Sequence, residues 1–129
     1  MTARRLAALV GAAERDIGAA RRLLPDMPDQ AIFHAQQAAE KLTRAVCERA
    51  GLAVGRTHGI GQAAARLPGG HPFKEDLLAL DHLSAAATAW RYPIPGGRIP
   101  AMPDPAHVAA ALGDVEALLP EIRDWLGEG

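Results

Sequence analysis

The chain has 129 residues, a formal net charge of −1, and a composition that is 49% apolar but only 4% aromatic. That length suits one domain with one core, the apolar content excludes a disordered tail, and the near-neutral charge excludes a nucleic-acid binder working by bulk charge. A core short of aromatics must be built from alanine and leucine, which favours closely packed helices over a sheet.

In chain order, segment 3–24 reads as the first helix. Leu6, Val10, Ala13, Ile17, Ala20 and Leu24 recur at spacings of four and three, which sets them on one stripe. Thr2 stands where it can cap the start, and Pro25 marks the end. Segment 29–50 is the second helix, with Ile32, Ala35, Ala39, Leu42 and Val46 as its stripe and Gly51 as the residue that stops it. A short helix is expected over 59–67, before the break Pro68-Gly69-Gly70. Segment 72–91 reads as one helix, with Phe73, Leu77, Leu80, Ser84, Ala87 and Arg91 in line. Residues 92–103 contain four prolines and Gly96-Gly97, so helix cannot continue there. Asp104 then Pro105 reads as an N-cap followed by proline at the first helical position. Val108, Leu112, Val115, Leu119, Ile122 and Leu126 continue that last helix to 126, with a kink expected at Pro120.

Four long one-sided helices with mostly short links predict an all-α fold. The expected form is an antiparallel four-helix up-and-down bundle with a short extra helix, a single domain over 1–129. Charge is uneven along it: residues 1–66 hold ten Lys/Arg against six Asp/Glu, residues 67–129 four against nine. Twelve of the fourteen cations are arginine, a residue suited to phosphate. Cys47 is the only cysteine, so no intrachain disulfide is expected, and its place on a helix favours a core role. No leader-like or membrane-length apolar run is present, which makes the expected location cytoplasmic.

The second helix carries the most informative stretch, Phe33-His34-Ala35-Gln36-Gln37-Ala38-Ala39-Glu40-Lys41. On a helical wheel His34, Gln37, Lys41, Arg44 and Glu48 fall opposite the apolar stripe, where His34, Lys41 and Arg44 can meet a phosphate. The alternative for that face is ordinary solvation, with Arg44 and Glu48 paired one turn apart. Gln36 and Glu40 lie beside the stripe. There they need hydrogen-bond partners across helices, Arg91 or a loop backbone. His58 reads as a structural residue at a helix start. The five histidines have no metal-site spacing, so neither a metal nor a cofactor is expected.

That stretch, followed by Thr57-His58 and then Arg91-Tyr92-Pro93, resembles the HEPN-domain family (the higher-eukaryote and prokaryote nucleotide-binding domain), over roughly residues 5–126. The resemblance implies a helical bundle, often a homodimer. It implies a partner of minimal nucleotidyltransferases in two-gene modules of toxin-antitoxin type, and binding of a nucleotide or RNA. His34, Lys41, Arg44, Arg91 and Tyr92 are then the candidate nucleotide- or phosphate-binding residues, Tyr92 or Trp90 as a stacking platform, and Gln36, Gln37, Glu40 and His58 are structural polar residues. Many members cut RNA without a metal, using an arginine followed after four to six residues by a histidine. Arg91 is the arginine that aligns, and positions 96–98 are Gly96, Gly97 and Arg98. The pair Arg66…His71 has the spacing, but this composition supplies about 1.4 such matches by chance. The expectation is therefore a binding protein, with a metal-independent RNase toxin or a non-catalytic protein-interaction module as alternatives.

Overall fold

The structure, a computed structural model, describes residues 3–55, 59–89, 96–97 and 102–128. These form six helices: α1 (Ala3–Leu23), α2 (Pro28–Arg49), α3 (Ile60–Ala64), α4 (Lys74–Ala79), α5 (His82–Ala89) and α6 (Pro105–Glu128). No strand occurs among the described residues, so the fold is all-α.

Ion pairs fix the directions of the long helices. Arg5 on α1 meets Glu48 on α2, whereas Asp16 further along α1 meets Lys41 and His34 earlier on α2. The two helices are therefore antiparallel, as the short link between them requires. Glu14 pairs with Arg123 and Arg21 with Glu116, so α6 is antiparallel to α1 as well.

The predicted stripes form the core. Leu6, Val10, Ala13, Ile17 and Ala20 of α1 are buried, as are Ile32, Ala35, Ala39, Leu42 and Val46 of α2 and Val108, Leu112, Val115, Leu119 and Ile122 of α6. What a single stripe underestimates is α2. It packs against α1, α3, α5 and α6, and Ala31, Ala38, Ala45 and Cys47 are buried too. Its alanines let neighbours approach closely on several sides. A helix enclosed in this way has no broad solvated face.

Several helix ends follow local rules. Gly51 sits at φ 83°, where its N–H bonds the Glu48 carbonyl at 3.0 Å and the Leu52 N–H bonds that of Cys47 at 2.9 Å. This is the Schellman closure that favours glycine at the residue after the cap. Asp104 caps α6 through Oδ1, which accepts the Ala106 N–H at 3.0 Å. Pro120 lies inside α6, which continues to Glu128. Thr2, the expected cap of α1, lies outside the described residues.

The expected helix over 72–91 is a correction: it is α4 and α5, parted at Leu80-Asp81. The Leu80, Asp81, Leu83 and Ser84 N–H groups each bond a carbonyl three residues back, at 3.0–3.1 Å, which tightens the chain there. The break places two oxygens at the start of α3. Asp81 Oδ1 accepts the Gly61 N–H at 2.8 Å, and Ser84 Oγ accepts the Ile60 N–H at 3.5 Å. Helix N-termini need such partners. The approach is close enough that a Cβ on Gly61 would lie 2.5 Å from Asp81 Cγ.

Candidate functional site

Of the predicted site residues, the structure brings His34 and Lys41 together. They are two turns apart on α2 and share one face. Between them stands a residue the sequence reading did not single out, Asp16 of α1. Its Oδ1 lies 3.1 Å from His34 Nδ1, and its Oδ2 accepts from Lys41 Nζ. Asp16 is only 13% exposed, against 30% for His34 and 32% for Lys41, so the carboxylate forms the floor and the two bases the wall. Arg15, Ala12 and Ala19 of α1 complete a shallow depression. The alanines keep it open, and Arg15 adds a second permanent cation. Phe33 meets the His34 ring edge-on, with centroids 5.4 Å apart.

The signal for Asp16 was present but needed tertiary reasoning. Asp16 flanks the α1 stripe next to Ile17, where a carboxylate facing a neighbouring helix wants a cation. A tight turn near residues 24–27 folds residue 16 back beside the stretch 34–41.

Arg44, grouped with His34 and Lys41 by the helical wheel, has a different place. Its Nη1 donates to the Val54 carbonyl at 2.9 Å and its Nη2 to that of Gly55 at 3.5 Å, which ties the segment after α2 to the helix. Glu48, expected on the same open face, is 4% exposed. It is held by Arg5 rather than Arg44, through Oε1–Nε at 2.7 Å and Oε2–Nη2 at 2.9 Å. The reason is that α1 covers this side of α2. The bidentate Arg5 bond holds the Glu48 carboxyl below the usual carboxylate range and raises the Arg5 guanidinium in turn.

Among the described residues Gln36 and Glu40 bond along α2 rather than across helices, and Arg91, one of their expected partners, lies outside those residues. Gln36 Nε2 donates to Glu40 Oε2 at 2.8 Å, and Gln37 Nε2 to Gln36 Oε1 at 2.8 Å, all along α2. One-turn spacing brings Gln36 and Glu40 together, and the adjacent Gln37 reaches the Gln36 carbonyl oxygen. Arg91 and Tyr92, with Trp90, Thr57 and His58, lie outside the described residues.

The chance-spaced pair Arg66…His71 is engaged elsewhere. Arg66 donates to the Ala53 carbonyl. His71 Nδ1 accepts the Phe73 N–H at 3.2 Å, and its ring meets Trp125 edge-on at 5.2 Å. Burial lowers the His71 pKa. Cys47 is buried, with Sγ 3.5 Å from the Ala63 carbonyl, and desolvation raises its pKa. Among the described residues no three His, Cys, Asp or Glu side chains are grouped to hold a metal ion, and no helix is long and apolar enough to cross a membrane.

Comparison with known proteins returns a family model described as HEPN domain, matching residues 6–125. No curated protein and no solved structure matches the chain.

Proposed function

The chain belongs to the HEPN-domain family, and from that premise we propose that it is a single-domain antiparallel bundle that binds RNA or a nucleotide through phosphate at the α1–α2 depression. The observation that carries this reading is the gathering of Arg15, Lys41 and His34 around one part-buried carboxylate. Asp16 orders the His34 ring and the Lys41 ammonium at once, so less side-chain entropy remains to be lost when a phosphate binds. Arg15 supplies a fork suited to two phosphate oxygens. Arg91 and Tyr92 enter this reading as further phosphate and stacking residues. We further propose a cytoplasmic setting, as a homodimer paired with a minimal nucleotidyltransferase in a toxin-antitoxin-type module, which is what the sequence resemblance implies.

The test is fluorescence anisotropy with a short single-stranded RNA, alongside a thermal-shift panel of nucleotides. Lys41→Ala and Arg15→Gln should each weaken RNA binding by about threefold to tenfold and reduce its salt dependence. Equal affinity for the wild-type and both variants would remove the depression from the binding surface.

A second reading, a metal-independent endoribonuclease, rests on the Asp16–His34 contact. A carboxylate on Nδ1 orients an imidazole for proton transfer at Nε2, and Nε2 has no protein partner among the described residues. RNA incubated with the protein in EDTA decides it: cleavage abolished by His34→Ala supports the enzyme, and intact RNA with wild-type protein refutes it.

A further inference from the structure

Where α1 begins and α2 and α6 end, one face of α1 borders a cleft of about 570 Å³. Leu6 and Val10 form its floor, Leu126 closes one side, and Arg49 and Arg123 stand at its rim with the small Ala7 between turns. We propose that this cleft binds a small amphiphilic anion, its apolar body against Leu6, Val10 and Leu126 and its acid group on Arg49 and Arg123.

The volume falls within the roughly 300–1,000 Å³ typical of small-molecule sites, and apolar walls with a few polar groups at one edge are their usual chemistry. Among the described residues, both charged side chains that line the cleft are arginines, so the complement is an anion. Arg49 has no side-chain partner among the described residues. Among the described residues Arg123 meets only Glu14, at 3.4 Å, with both side chains about half exposed. Such a pair contributes about 0–1 kcal/mol, so an incoming acid group can take its place.

A plainer account gives Arg49 to the C-terminal dipole of α2, whose last turn it occupies, and Arg123 to Glu14. It explains the cations but not the cleft beside them, and it predicts that their loss changes stability rather than ligand binding. The cleft is distinct from the Asp16 depression, so it stands or falls apart from RNA binding.

The experiment uses anilinonaphthalene sulfonate as a fluorescent amphiphilic anion, with decanoate, decanol and inorganic phosphate as competitors. The expected result is saturable binding of one probe per chain. Decanoate should displace it at least tenfold more effectively than decanol or phosphate, since each of those lacks half of the recognised chemistry. The double variant Arg49→Gln/Arg123→Gln should bind about tenfold more weakly. Ala7→Phe, at an exposed position, should fill the cleft and abolish binding while the protein keeps its helical circular dichroism. Arg22→Gln, an exposed arginine at the far end of α1, serves as the control for bulk charge and should bind as the wild-type does. Probe binding that survives Ala7→Phe, or that Arg22→Gln weakens as much as the double variant, overturns the proposal. So does a concentration-dependent dimer that Ala7→Phe dissociates, because the cleft would then be filled by a second copy.

Discussion

Gly61→Ala tests whether the Asp81 contact, rather than local propensity, shapes the middle of the chain. In an isolated helix this change is favourable by about 1 kcal/mol, and the Gly61 backbone is not in the left-handed region. Here the added Cβ would sit 2.5 Å from Asp81 Cγ, 2.7 Å from Oδ1 and 2.8 Å from Oδ2. Carbon contacts settle near ~3.5–4.0 Å, so Asp81 must swing away and give up the Gly61 N–H. Losing an N-terminal cap of this kind costs about 1 kcal/mol, and forcing the side chain off its rotamer costs about 1 kcal/mol more. The two exceed the propensity gain by about 1 kcal/mol, a fall in Tm of about 3–4 °C for a chain of this size. In an Asp81→Ala background the clash is absent, and Gly61→Ala should then stabilise by up to about 1 kcal/mol. The coupling between the sites is therefore about 2 kcal/mol, read from urea unfolding of the four proteins in the double-mutant cycle. A Gly61→Ala effect of the same sign and size in both backgrounds would refute the reasoning.

Leu42→Ala removes a fully buried side chain from the helix that touches four others; the expected loss is about 2–5 kcal/mol, measured by chemical denaturation. Cys47 should react with Ellman's reagent only as fast as the protein unfolds, since burial both blocks the thiol and raises its pKa; fast reaction in native buffer would contradict its placement. Stability should fall with acid in two stages. His71 has its folded pKa depressed from 6.5 by burial, so its contribution is present above about that pH and lost as pH drops below it. Glu48 and Glu116, depressed from 4.5 by Arg5 and Arg21, hold their contribution above that value and lose it below. Thermal melts from pH 8 to 3 should show both stages, and His71→Gln should remove the first.

Much of the fold was legible because it depends on local rules. The stripes of α1, α2 and α6 follow from helical periodicity, and the Gly51 stop and the Asp104 cap follow from backbone chemistry. The site was half legible. His34 and Lys41 share a face because seven residues make two turns, but Asp16, their common partner, lies on another helix. Arg44 and Glu48 were misplaced for the same reason: a helical wheel shows which side chains share a face and not what covers it.

By itself the sequence determined the helical class, the family, and the identity of the three long helices, because helix periodicity and caps are read over a few residues. Only the tertiary structure decided that α2 is enclosed, that its polar face is neutralised by α1, and that the helix after Gly70 breaks at Leu80-Asp81. No proline or glycine marks that break. Its observed counterpart lies some twenty residues away, where the start of α3 takes up the Asp81 carboxylate, and a contact at that separation leaves no periodic trace in the chain.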